Sequence, residues 1–311
     1  MQSAFRFIAN NLAILTLAGA ILAYFYPPVF LIFKDYFLWF FAATMFALGL
    51  VLEAADLKSE LKQPKRIGLG VLSQFTVMPI LAFLVAQYAG FSPAIALGFI
   101  IVGCAPGAMA SNVIVYLAGG AVAFSVTLTT VATFLSPLLT PALVKWLGGA
   151  ILPVEFWPLM QTIIWTVLIP LALGIWIQRF LGEHKAEVRQ YAPGVAALAI
   201  IIICSYAVAA NQERIAQMAL PVLLGVILVN ILGYFAGWWL ARLYGFDQRH
   251  RITLMIELGM QNAGMGVALA LKHFPPEAAL PGTLFAVWCI LTAASASSWF
   301  RRHHKKLSVQ V

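Results

Sequence analysis

Cut at its clusters of charge, proline and glycine, the chain falls into ten apolar blocks, at about 7–26, 36–54, 67–89, 93–118, 121–147, 158–180, 193–210, 219–244, 252–273 and 281–300. Each is close to the roughly 20 residues that an α-helix needs to cross a ~30 Å hydrocarbon layer. The pattern predicts an all-α integral membrane protein of ten transmembrane helices, and an even number of spans puts both chain ends on one side.

Charge says which side. Arg6, the loop with Lys58, Lys62, Lys65 and Arg66, the loop with Arg179, Lys185 and Arg189, the loop with Arg242, Arg249 and Arg251, and the tail with Arg301, Arg302, Lys305 and Lys306 share one face. Only Lys34, Lys145, Arg214 and Lys272 remain for the other. The positive-inside rule therefore places both termini in the cytoplasm. The net charge of +8 is accounted for by this topology and by anionic lipid, with no nucleic acid required.

Composition excludes a soluble globule: 62% of the 311 residues are apolar and 10% charged, against roughly 25% charged in an ordinary soluble domain. The mean hydropathy of +0.93 extends over the whole chain, which is more than one anchor on a soluble body would give. Twenty-three glycines and 16 prolines point to broken helices. Cys104, Cys204 and Cys289 lie inside apolar runs with no CxxC spacing, so they form neither a disulfide framework nor a zinc site. Arg6 ahead of Leu12 to Ala23, with Ala18-Gly19-Ala20 behind, has the outline of a secretory signal, but a retained first span is what closes the topology.

Shifting the chain by about 155 residues lays Gly90-Phe91-Ser92 on Gly245-Phe246-Asp247, each just ahead of a glycine-rich span. This predicts two five-helix repeats, 1–155 and 156–311. An odd number of spans per repeat makes the second copy inverted, a construction common in secondary transporters.

The fourth span contains Cys104-Ala105-Pro106-Gly107-Ala108-Met109-Ala110-Ser111-Asn112, and the ninth Glu257-Leu258-Gly259-Met260-Gln261-Asn262-Ala263-Gly264. Proline removes an amide donor and glycine destabilises the helix, so both spans are expected to open and to face one another inside the bundle. Of 11 acidic residues only Glu257 lies well inside a span. With no Lys or Arg mid-span beside it, an ion-binding carboxylate and a neutral glutamic acid bonded to backbone are the two readings. Oxygens that could complete a site for a small hard cation stand at helical spacing: Glu257 with Gln261, Ser125 with Thr129, Ser111 and Asn112 after the first break, and Gln74 in the third span. Each of these alone more often serves packing or its own backbone. All five histidines lie in loops or the tail, which favours sodium over protons. The half-helix N-termini at the breaks suit an organic anion.

At these residues the chain resembles the bile acid:sodium symporter family and is most similar to bacterial homologues of the apical sodium-dependent bile acid transporter. Glu257 to Asn262 resembles the family's ninth-helix signature, and Pro106-Gly107 through Ser111-Asn112 its fourth. The resemblance implies a multi-pass protein of the cell (inner) membrane. It also implies a panel domain of spans 1, 2, 6 and 7 and a core domain of spans 3–5 and 8–10, with helices 4 and 9 crossing. Two sodium sites are implied, one of Ser111, Asn112, Ser125, Thr129 and Glu257, the other of Gln74, Glu257, Gln261 and the carbonyls of Leu258 and Met260. Substrate, an organic anion such as a bile acid or similar carboxylate, would sit near Asn262 and Met109, with Pro106 and Gly107 beside them. No protein partner is required. Where some members carry a His-Asn pair after the tenth-helix tryptophan, Trp288 is followed here by Cys289-Ile290, a departure at the polar half of a bile-acid contact.

Rival readings are a metalloid exporter using Cys104 as thiolate, or a proton-coupled exporter. An intramembrane enzyme lacks support, since neither HExxH, GxSxG nor a pair of mid-span aspartates occurs. Nothing in the chain resembles a channel filter.

Overall fold

The computed structural model describes residues 11–52 and 60–289, together with 5, 7, 8 and 292, and every regular element among them is helical. In hydrocarbon each backbone N–H and C=O has to be bonded within its own segment, so apolar blocks become helices. The first three blocks give α1 (Leu12–Phe25), α2 (Phe37–Val51) and α3 (Pro64–Tyr88). The fourth is divided into α4 (Pro93–Gly103) and α5 (Ser111–Leu117). Next come α6 (Val122–Gly148) and α7 (Phe156–Phe180), the latter with one π-helical turn at Ile164–Leu168. The seventh and eighth blocks are α8 (Lys185–Ala210) and α9 (Gln212–Leu243). The ninth is divided into α10 (Gln248–Gly259) and α11 (Ala263–His273), and α12 is described over 280–289. Among the described residues, α3, α6, α7, α8 and the Gln217–Leu243 part of α9 are each long and apolar enough to cross a bilayer.

Three boundaries differ from the expectation. α8 begins at Lys185 rather than near 193, and α9 at Gln212 rather than near 219. Their charged first turns fall outside the apolar blocks, yet Lys, Ala, Glu, Arg and Gln are good helix formers, and a helix continues past the lipid when its propensity allows. Arg249 and Arg251 likewise belong to the first turn of α10, not to a loop. The stretch after α1, expected as a connection, folds into Pro27–Leu31 and a 3₁₀ turn to Asp35, bent 113° from the helix before it. Arg6, Lys58, Arg301, Arg302, Lys305 and Lys306, part of the charge argument, lie outside the described residues, as do Glu53, Asp56, Ile290, His303, His304 and half of the last block.

α2 packs against α8 and α7, and α8 also against α1; α3 packs on α4, α6 and α9, and α9 runs along α10. Gly90 and Gly245, matched by the 155-residue shift, take the same left-handed conformation, φ 68° and 73°. Each turns the chain just before a divided helix, whose N-cap is Ser92 in one case and Asp247 in the other. A side chain is strained at such φ, which is why glycine stands at both turns.

Candidate functional site

The two divided helices are the origin of the site. After Gly103 the chain leaves helical geometry at Pro106, which has no N–H to give, and after Gly259 it extends through Met260 at φ −108°, ψ 100°. The freed backbones satisfy one another: Gly107 pairs antiparallel with Gln261, Ala108 N–H donates to Met260 O at 2.9 Å, and Asn262 N–H donates to Pro106 O at 2.8 Å. Interrupted backbone at depth is thus buried in protein rather than exposed to lipid.

Against this crossing lies Glu257, 1% exposed. Ser111 and Ser125 donate to Oε1, and Thr129 donates to Oε2 at 2.7 Å. Ser111 opens α5, while Ser125 and Thr129 share a face of α6, so three elements converge on one carboxylate. Ser125 Oγ also stands 2.7 Å from Asn112 Oδ1, and Thr129 Oγ1 stands 2.9 Å from the Ser125 carbonyl. A hydroxyl carries one proton. Ser125 and Thr129 each face two acceptors, with one proton to share between them. These hydroxyls bring dipoles and no formal charge, so a carboxylate buried here is neutralised by a proton or by a bound cation. Among the described residues, no Lys or Arg forms an ion pair with Glu257.

Gly107 closes the cluster from below. A Cβ there would stand 2.8 Å from Glu257 Oε2, so only glycine admits the carboxylate at this distance. Among the described residues no three His, Cys, Asp or Glu side chains come together, which leaves the hydroxyl, carboxamide and carboxylate oxygens as the donor set. That set fits a hard cation such as sodium and not a soft metal.

The second expected group is brought together only in part. Gln74 and Gln261, both 1% exposed, meet through Gln74 Nε2 donating to Gln261 Oε1 at 2.8 Å. With its amide turned to suit its neighbours, Gln261 instead accepts from Gln74 Nε2 at 2.9 Å and donates to Ala105 O at 2.7 Å. The helical i, i+4 relation expected between Glu257 and Gln261 does not form, because α10 stops at Gly259 and Gln261 follows in extended backbone. Leu258 and Met260 are buried, and the Met260 carbonyl already accepts from Ala108.

Beside the crossing runs a crevice of about 580 Å³. Met109, Asn112, Gln261 and Asn262 line it from the breaks, and Phe41, Thr44 and Met45 of α2 line it opposite. It extends along Val51 and Leu52 at the end of α2 and Ala192 and Pro193 near the start of α8. Asn262 is the N-cap of α11: its Oδ1 accepts from Met265 N–H at 3.1 Å, which leaves the side-chain nitrogen as the donor for a ligand. Pro106 and Gly107 do not line the crevice and lie buried in the crossing. Cys104, the thiolate of the rival reading, is fully buried away from it, whereas Cys289 is on its wall. Sequence reasoning missed Thr44, whose available signal was being the single hydroxyl of an otherwise apolar α2.

Comparison with known proteins points the same way. The model of the sodium bile acid symporter family matches residues 38–219. A Bacillus subtilis protein described as an uncharacterized sodium-dependent transporter, YocS, is 35% identical over 97% of this chain and 94% of its own length. Proteins described as probable chloroplastic sodium/metabolite cotransporters BASS1 are 34% identical in Arabidopsis thaliana and 36% in Oryza sativa subsp. japonica, over 85% and 78% of this chain. The chain spans 66% and 60% of those two plant proteins.

Proposed function

Because this chain belongs to the sodium bile acid symporter family, a family of multi-pass sodium-dependent transporters, we propose that it couples sodium binding at Glu257 to symport of an organic anion by alternating access. The observation that carries the reading is a buried carboxylate ringed by hydroxyl oxygens and, among the described residues, with no Lys or Arg paired to it. Sodium in the nest of Ser111, Asn112, Ser125, Thr129 and Glu257 supplies the counter-charge, and the hydroxyls then turn lone pairs toward it. A second ion at Gln74, Gln261, Glu257 and the carbonyls of Leu258 and Met260 requires Gln74 and Gln261 to exchange their mutual hydrogen bond for the ion.

The substrate belongs in the crevice. Among the described residues its lining is chiefly apolar, with Thr44, Asn112, Gln261 and Asn262 as the polar exceptions and no Lys or Arg. The ligand class this favours is an amphipathic carboxylate, its anionic end met by the N-terminus of α11 and the Asn262 amide and its body by Phe41 and Met45. A bile acid and a smaller carboxylate both satisfy that description.

Alternating access calls for two bodies. The packing of α1, α2, α7 and α8 on one side, and of α3, α4, α6, α9 and α10 on the other, supports a panel moving against a core. The matched left-handed glycines ahead of both divided helices support two inverted repeats at 1–155 and 156–311 and, with them, ten spans. With the termini in the cytoplasm, the ends of α2 and the start of α8 lie at the cytoplasmic face, so the crevice described is the inward-open one.

The test is uptake of a labelled carboxylate into proteoliposomes. An inward sodium gradient is expected to drive accumulation, an equal potassium gradient is not, and Glu257→Gln is expected to abolish it. Equal uptake with either cation would overturn the reading.

A further inference from the structure

Opening a helix leaves carbonyls that no amide of its own turn can reach. At the end of α10 the amide that would serve Gly259, that of Ala263, instead donates to Gln261 O at 2.8 Å. The Gly259 carbonyl is served from another helix: Asn230 of α9 donates its Nδ2–H to it at 2.7 Å. Asn230 is completely buried, in a helix that otherwise presents apolar side chains there. Its Oδ1 in turn accepts from Thr292 Oγ1 at 3.1 Å, and the Tyr234 hydroxyl stands 3.4 Å from Thr292 Oγ1. The Gly259 carbonyl, which can only accept, settles which way round the carboxamide stands.

The peptide plane between Gly259 and Met260 is therefore held at both ends, its oxygen by Asn230 and its N–H by Ile256 O at 2.9 Å. The planes on either side carry the carbonyls of Leu258 and Met260 and hinge on this one through the φ and ψ of Gly259 and Met260, so holding the middle plane narrows the orientations that they can take. The Tyr234 ring presses on the same residue: a Cβ at Gly259 would stand 2.8 Å from its Cγ, so the strand cannot slide toward α9. The other break has a comparable pin. The 155-residue shift carries Cys104 onto Gly259, and the Cys104 carbonyl accepts from the buried Thr140 hydroxyl at 2.7 Å.

We infer that Asn230, oriented by Thr292, is a positioning residue for sodium: it pins the Gly259 carbonyl so that the backbone carbonyls flanking it and the Glu257 carboxylate keep their ion-binding orientation. Asn230 touches neither ion nor substrate and acts through the backbone of the break. The inference rests on the sodium-coupled reading above.

Sodium titrations of melting temperature on purified full-length protein, at constant ionic strength with choline, test it. Asn230→Leu keeps the volume and removes the donor, and is expected to raise the half-saturating sodium concentration about tenfold, the size of one lost buried hydrogen bond. Half-saturation for a labelled carboxylate at saturating sodium should stay unchanged, which a general loosening of the fold would not spare. Thr292→Val keeps the Asn230–Gly259 bond but loses its orientation, and is expected to shift sodium about threefold; it keeps the test open should the leucine variant not fold. A folded variant that titrates with sodium as wild type does overturns the positioning role. A wild type that does not respond to sodium at all overturns the transport reading instead.

Discussion

Alanine at position 107 would set a methyl group 2.8 Å from Glu257 Oε2 and 3.7 Å from the Glu257 carbonyl. Ordinary carbon–oxygen contact begins near 3.4 Å, so the pair has to part by about 0.6 Å. The carboxylate has little room to retreat: Oε2 is held by Thr129 at 2.7 Å, and Oε1 by Ser111 and Ser125. The backbone of residue 107 is fixed as well, by its pairing with Gln261. One of the two arrangements has to yield, at about 1–3 kcal/mol, the figure typical of an inserted methyl in a packed interior. If that cost falls on the ion-bound form, sodium affinity drops by roughly 5- to 150-fold. The assay is a sodium titration of melting temperature in choline-balanced buffer, with Gly68→Ala as control, since a Cβ at Gly68 meets nothing within 4 Å. The control is expected to titrate as wild type. A Gly107→Ala protein that folds and shows wild-type half-saturation would refute the placement of the ion beside this glycine.

Three further outcomes are expected. Ile200→Trp, which grows a half-buried side chain on the crevice wall, should abolish carboxylate uptake while leaving the sodium titration unchanged. Asp247→Ala removes the side chain that accepts from His250 N–H at 3.1 Å at the start of α10; differential scanning should find a loss of about 1 kcal/mol with sodium affinity intact. Cys104→Ser should retain sodium-driven uptake in proteoliposomes, because the thiol is buried away from the crevice; loss of uptake in a folded variant would favour the thiolate exporter.

Much of this architecture was legible in the residues because lipid leaves so few options. Apolar runs read directly as helices, and Pro106-Gly107 and the glycines after Glu257 mark where two of them stop. Glu257 stood out as the one acid inside a span, and the hydroxyls of Ser111, Ser125 and Thr129 do meet it. Hydropathy, however, measures contact with lipid and not helicity, which is why it does not reveal the charged openings of α8 and α9. Helical spacing also misled at Gln261, since a break cancels the periodicity it was counted in. The pairing of Gly107 with Gln261 and the bond from Asn230 to Gly259 join residues 154 and 29 positions apart, and no local pattern announces either.

The most direct measurement of the central claim is a calorimetric titration of sodium chloride into the purified protein, against choline chloride, for wild type and Glu257→Gln. A saturable heat in the wild type that vanishes in the variant is the predicted result. No saturable heat, or the same heat in both proteins, would contradict a sodium ion at this carboxylate.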